Sequence, residues 1–67
     1  MTDTVKLREA VSRKGIKYCF VAKHLGLSQY GLQKKIENDT EFKASEINKV
    51  MELLSLSPAE RDAIFFA

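Results

Sequence analysis

The chain has 67 residues, of which 45% are hydrophobic and 30% are charged. This composition is that of an ordinary globular protein and argues against a disordered tail. A chain this short forms one small core, so we expect a single domain over residues 1–67 and no separate catalytic domain. Its single cysteine, Cys19, and single histidine, His24, cannot supply an internal disulfide or a zinc cluster, so we predict no metal and no cofactor.

Charge is distributed unevenly along the chain, although the formal net charge is only +2. Residues 1–35 contain eight basic and two acidic residues, a net charge of +6, whereas residues 36–67 contain three basic and seven acidic residues, a net charge of −4. A basic half suits a polyanion, which would repel the acidic half. The same distribution is also compatible with two ordinary solvated faces.

Signals for membranes and for catalysis are absent from the sequence. No apolar signal-peptide region follows Met1, and no run of eighteen apolar residues occurs. We therefore expect a cytoplasmic protein with no membrane partner. The chain contains no nucleophile elbow, phosphate loop or paired carboxylate set, so we expect neither an enzyme nor a small-molecule substrate.

Apolar residues at helical spacing predict two helices in the first part of the chain. The first helix covers Thr4–Lys14 and ends at Gly15, and the second covers Tyr18–Leu25 and ends at Gly26. Glycine is favoured at these helix ends because it readily adopts the left-handed conformation that closes a helix.

Capping signals and apolar residues at helical spacing predict three more helices. Ser28 can cap a third helix over Gln29–Glu37, and a fourth is predicted over Ala44–Leu54. A serine, a proline and a glutamate at capping-box spacing start a fifth helix at Pro58, which runs towards Phe66. No stretch alternates with a period of two, so the predicted fold class is all-α, with five short helices.

The second and third predicted helices form one unit around Gly26. Six apolar residues at fixed distances from this glycine would fill the space between the two helices: Val21, Ala22, Leu25, Leu27, Leu32 and Ile36. This pattern predicts a helix-turn-helix over Tyr18–Asn38. In such a motif the second helix enters the major groove of DNA and the first lies across the backbone.

The sequence resembles the lambda-repressor-like family, which includes phage Cro and repressor proteins and Xre-type regulators. The resemblance covers most of the chain and is carried by Leu7-Arg8, Gly15-Ile16, the run Val21 to Ser28, Leu32, Lys35-Ile36, Glu46-Ile47 and the run Leu53 to Ser57. It implies a five-helix domain in the bacterial cytoplasm or nucleoid. It also implies a phage or prophage Cro-type regulator that binds double-stranded operator DNA, commonly as a homodimer.

The resemblance also implies which residues touch DNA. The residues that match the family's base-reading face are Gln29, Tyr30, Gln33 and Lys34. Those expected to contact the DNA backbone are Lys17, Tyr18, Ser28, Lys35 and Lys43. Glutamine can pair with adenine, lysine can donate to guanine, and a tyrosine ring can touch a thymine methyl group. Lys17 and Tyr18 replace the polar cap and the glutamine common in the family, and Gly31 stands where the family usually has a side chain.

Several of these residues also have a simpler interpretation. Tyr30 can be a partly buried surface aromatic residue that does not read bases, and adjacent lysines such as Lys34 and Lys35 are often only solvated. We expect Cys19 and Phe20 to pack against the first or fifth helix, with a redox-sensing thiol at Cys19 as the alternative.

The C-terminal residues Ile64, Phe65 and Phe66 are more apolar than one helix face can bury. They can complete the core or form a homodimer contact through the fifth helix. The alternative to DNA binding is a helical adaptor, similar to an antitoxin or anti-repressor, that binds protein on the same fold.

Overall fold

The computed structural model describes residues 1–66, and within this range it is all-helical, with no strand. Its five helices are α1 (Thr4–Lys14), α2 (Tyr18–Leu25), α3 (Gln29–Ile36), α4 (Ala44–Leu54) and α5 (Pro58–Phe65). The predicted all-α class and the number of helices are confirmed. The third and fifth helices end slightly earlier than predicted, because Glu37 and Phe66 are C-caps with non-helical backbone angles. Among the described helices, none has the length and apolar character needed to span a bilayer.

Residues in the left-handed conformation end four of the helices. Gly15 and Gly26, at φ 76° and 73°, end α1 and α2 as predicted. Asn38 and Ser55, at φ 66° and 54°, are left-handed residues that follow α3 and α4. After α2, the Leu27 N–H donates to the Ala22 carbonyl (2.9 Å), and the Gly26 N–H donates to the Lys23 carbonyl (3.1 Å). These paired bonds satisfy carbonyl groups that a helix end leaves free.

The core is one hydrophobic cluster to which all five helices contribute. Helix α4 packs against α1, α2 and α5, and α3 packs on α2. Ile36, Val11 and Val50 are among the most completely buried side chains. Within Gln29–Ile36 the buried residues are Leu32 and Ile36, so α3 lies against the rest of the protein along a narrow stripe.

The expectation that Cys19 and Phe20 pack against a neighbouring helix is wrong. Cys19 is exposed, and Phe20 is 50% exposed. Helix α2 buries Val21, Ala22 and Leu25. At 3.6 residues per turn Phe20 lies on the opposite side, and Cys19 lies at the edge of the buried face.

The C-terminal apolar residues separate into two environments. Ile64 and Phe65 are buried, and the Phe65 ring meets Phe42 edge-to-face with 5.2 Å between the centroids. Phe66 remains 62% exposed. Core completion therefore accounts for Ile64 and Phe65, which are withdrawn as dimer-interface candidates, and Phe66 is the residue of this group that stays available for a contact.

Replacing Gly26 tests the closure of α2. We expect Gly26→Ala to lower the free energy of unfolding by about 1–2 kcal/mol, because alanine is strained at this φ even though nothing crowds the position. Gly26→Asn is the matched control, since asparagine tolerates the left-handed region, and its loss should be smaller. Urea denaturation followed by circular dichroism measures both. Equal stability of Gly26→Ala and the wild type would contradict this role.

Candidate nucleic-acid interface

The outward side of α3 carries the residues predicted to read bases. Gln29, Tyr30 and Gln33 are exposed, and Lys34 is half-buried. They form two pairs at i, i+4 spacing, Gln29 with Gln33 and Tyr30 with Lys34, which lie next to each other on a helix surface. The buried stripe of α3 lies on other positions, so these four side chains project from one continuous, mostly polar surface.

Tyr30 and Lys34 contact each other within this surface. The Lys34 Nζ lies 5.5 Å from the centroid of the Tyr30 ring, which is within the range of a cation–π interaction. Tyr30 itself is 74% exposed. The contact brings an aromatic face and a hydrogen-bond donor together on the outside of α3.

Ser28 shapes the N-terminal end of α3. Its Oγ accepts a hydrogen bond from the Gly31 N–H at 3.0 Å, so the predicted cap is confirmed. A Cβ atom at Gly31 would lie 3.3 Å from this oxygen. A side chain there would crowd the cap, and glycine leaves the backbone of the first turn open to an approaching molecule.

The structure places three of the predicted backbone-contacting residues in two different environments. Lys17 and Lys43 are exposed and precede α2 and α4. Tyr18 packs partly against the core, with the Arg8 guanidinium carbon 5.9 Å from its ring centroid. Arg8 was not predicted as a contact, because no local pattern indicates that α1 reaches the start of α2.

Lys35 is engaged within the protein, and it is withdrawn from the set of DNA backbone contacts. Its Nζ lies 3.1 Å from Glu46 Oε1 and donates to the Glu41 carbonyl at 2.9 Å. Only 12% of its side chain is exposed. The ammonium group therefore links α3 to the segment before α4 and to α4 itself.

Glu46, whose carboxylate pairs with this ammonium group, is buried. Its Oε1 also accepts the N–H of Lys43 at 2.7 Å, which caps the start of α4. Burial raises the pKa of Glu46, but the hydrogen bonds from Lys43 and Lys35 and the charges of both lysines outweigh it and lower that pKa below 4.5. The capping position of Glu46 is readable in the sequence, whereas its pairing with Lys35 is not.

The C-terminal end of α3 is attached to the N-terminal segment of the chain by hydrogen bonds that sequence reasoning missed. Asn38 exchanges two hydrogen bonds with the backbone of Thr2, and the Thr4 hydroxyl donates to the Ile36 carbonyl. Partners so far apart in the sequence leave no local signal. These bonds hold α3 at the end opposite to Ser28.

Comparison with known proteins finds a match to a family model. A family model described as a protein of unknown function (DUF739) matches residues 3–67. No curated protein and no solved structure matches the chain.

The contribution of Glu46 to the free energy of unfolding should decrease at acidic pH. Because its folded pKa is lowered, the stabilisation is present above pH 4.5 and is lost as the pH falls through the folded pKa. We expect Glu46→Gln to cost about 1–3 kcal/mol at pH 7, since it leaves Lys35 partly buried without its partner. The difference from the wild type should shrink towards pH 3.

Urea denaturation between pH 7 and pH 3 measures this difference. Glu52→Gln, which changes an exposed carboxylate on the same helix, is the control and should stay within about 0.5 kcal/mol of the wild type. Some acid dependence should remain in Glu46→Gln, because hydrogen bonds from Ser57 lower the pKa of Glu60 as well. A constant difference between wild type and Glu46→Gln across this pH range would contradict the assignment.

Proposed function

We propose that this chain, which belongs to the DUF739 family, is a sequence-specific DNA-binding regulator. In this proposal α2 and α3 form a helix-turn-helix over Tyr18–Asn38, and α3 enters the major groove. The observation that carries it is the outward surface of α3, whose polar side chains begin at its N-terminal end. The N-terminal residues of a recognition helix are those that reach base edges.

The chemistry of this surface suits direct readout. The amide groups of Gln29 and Gln33 can each donate and accept, as bidentate pairing with adenine requires. The Lys34 ammonium can donate to the acceptors of guanine, and the Tyr30 ring can contact a thymine methyl group. Within the protein the cation–π contact restrains Lys34, which reduces the rotamer freedom lost on binding.

Four further residues would hold the DNA backbone. Lys17, Ser28 and Lys43 are exposed, and Tyr18 is half-buried with its ring against Arg8. Such contacts set the position of the protein on DNA and add affinity without reading sequence. The proposed action is occupation of an operator, as in a phage or prophage Cro-type repressor, and it includes no catalytic step, cofactor, metal or small-molecule substrate.

A helical adaptor that binds protein is the second candidate. The observation in its favour is the exposed apolar side of α2, where Cys19 and Phe20 face away from the core. An adaptor would use the same fold without reading DNA. Replacing side chains on α3 distinguishes the two.

Selection from random DNA duplexes at two salt concentrations would identify the preferred sequence. On that sequence, we expect Gln33→Ala and Lys34→Ala each to cost about 1–3 kcal/mol of binding free energy, with little effect on random DNA. The reason is that each removes a hydrogen-bonding group aimed at a base edge.

Two lysine variants serve as controls for this measurement. Lys17→Ala should weaken binding to both kinds of DNA and reduce the salt dependence by about one released counterion. Lys49→Ala, on the exposed side of α4 in the acidic half, should leave both affinities unchanged. Failure to enrich any sequence, with no effect of the α3 substitutions, would favour the adaptor.

We further propose that the protein forms a homodimer, at least on DNA, through the surface around Phe66. Two cavities of about 250 and 450 Å³ adjoin this ring, and both are lined by Phe42, Ile47 and Phe66. Glu41 borders one cavity and Arg61 borders the other. An exposed ring beside two cavities, with Glu41 at one and Arg61 at the other, suits a contact in which the same surface of each copy meets the other.

Substituting Phe66 tests the dimer. We expect Phe66→Ala to lower the dimer population, because it removes the exposed ring that would be buried between the two copies. Phe20→Ala, which truncates another half-exposed phenylalanine, is the matched control and should have no effect. Sedimentation velocity with and without operator DNA measures the population. A wild-type protein that stays monomeric under both conditions would exclude the dimer.

A further inference from the structure

The segment that follows α3 closes the helix with a left-handed asparagine. The Asn38 N–H donates to the Lys35 carbonyl at 3.2 Å, and the Asp39 N–H donates to the Lys34 carbonyl at 2.8 Å. This is the closure that glycine provides after α2. Asparagine also tolerates the left-handed region, and unlike glycine it has a side-chain amide available for further hydrogen bonds.

The Asn38 side-chain amide forms hydrogen bonds with both the N–H and the carbonyl of Thr2. Its Oδ1 accepts the Thr2 N–H at 2.9 Å, and its Nδ2 donates to the Thr2 carbonyl at 2.9 Å. Thr2 is buried, so its backbone groups need partners within the protein. One side chain supplies both of them.

The neighbouring residues of this N-terminal segment are tied to two helix ends. The Thr4 hydroxyl donates to the Ile36 carbonyl at 2.6 Å, and the Asp3 N–H donates to the Ile64 carbonyl at 2.6 Å. The segment Thr2–Thr4, which we name the N-terminal strap, therefore links the C-terminal end of α3 to the end of α5.

We infer that Asn38 is a positioning residue for DNA reading, which holds α3 in its reading orientation through the N-terminal strap. Within Gln29–Ile36 only Leu32 and Ile36 are buried, and a narrow apolar stripe limits rolling and tilting of a short helix only weakly. The strap fixes the C-terminal end of α3, which carries Lys34 and lies opposite to Gln29 and Tyr30. A small change in the position of this end would displace Gln29 and Tyr30, whose side chains must reach the DNA bases with the correct geometry.

This inference rests on the proposed DNA-binding function, so the experiment has one readout that needs no DNA. Asn38→Gly keeps the left-handed backbone and removes the amide. Ser57→Ala removes the cap of α5, away from α3, and supplies a comparable loss of thermal stability. Both variants are measured at a temperature at which they are fully folded.

The first readout is amide hydrogen exchange without DNA. We expect Asn38→Gly to accelerate exchange in the last turn of α3 while the amides of α4 remain as protected as in Ser57→Ala. Equal protection of α3 in both variants would overturn the inference, whatever the DNA experiments show. If the wild type binds no preferred sequence, the proposed function fails, and with it the reading role of Asn38, even where the exchange result holds.

The second readout is the ratio of affinities for the selected sequence and for random duplex. We expect Asn38→Gly to lower this ratio roughly tenfold, about 1.4 kcal/mol, and Ser57→Ala to leave it unchanged. An unchanged ratio in Asn38→Gly would overturn the positioning role even if exchange in α3 were faster. Asn38 would then only stabilise the fold.

Discussion

A left-handed turn at Gly26 separates α2 from α3. It ends α2 after two turns and lets Ser28 begin α3 almost at once. Because the intervening segment is so short, α3 must pack back on α2, and its apolar residues can be only those on the inner side. The outer side is thereby left to polar side chains. The backbone conformation of Gly26 thus determines which side chains of α3 are buried and which face outward.

Polar contacts act together with apolar burial in holding α3 against the rest of the protein. Leu32 and Ile36 provide its apolar contact with the protein, and bonds from two directions hold its C-terminal end. Lys35 ties it to α4 through Glu46, and the N-terminal strap ties it through Asn38. Such contacts are directional, so they determine the orientation of a short helix in a way that a narrow apolar stripe does not.

Ion pairs within the fold neutralise part of the uneven charge along the chain. Glu46 and Glu60 of the acidic half pair with Lys35 and Arg13 of the basic half. The buried pair joins two helices, whereas the exposed pair contributes little to stability. Fewer cations are therefore available to attract a polyanion than the charge count suggests, and Lys17 is one that remains exposed.

The helices and the turn between α2 and α3 are encoded by residues that are close together in the chain. Caps and left-handed glycines act over a few residues, so Gly26 and Ser28 could be read directly from their neighbours. Tertiary structure decided which side chains remain available. Adjacent lysines look alike in sequence, yet Lys34 projects outward and Lys35 is bound to a carboxylate eleven residues away. Burial and pairing depend on partners distant in the chain, and no local pattern encodes them.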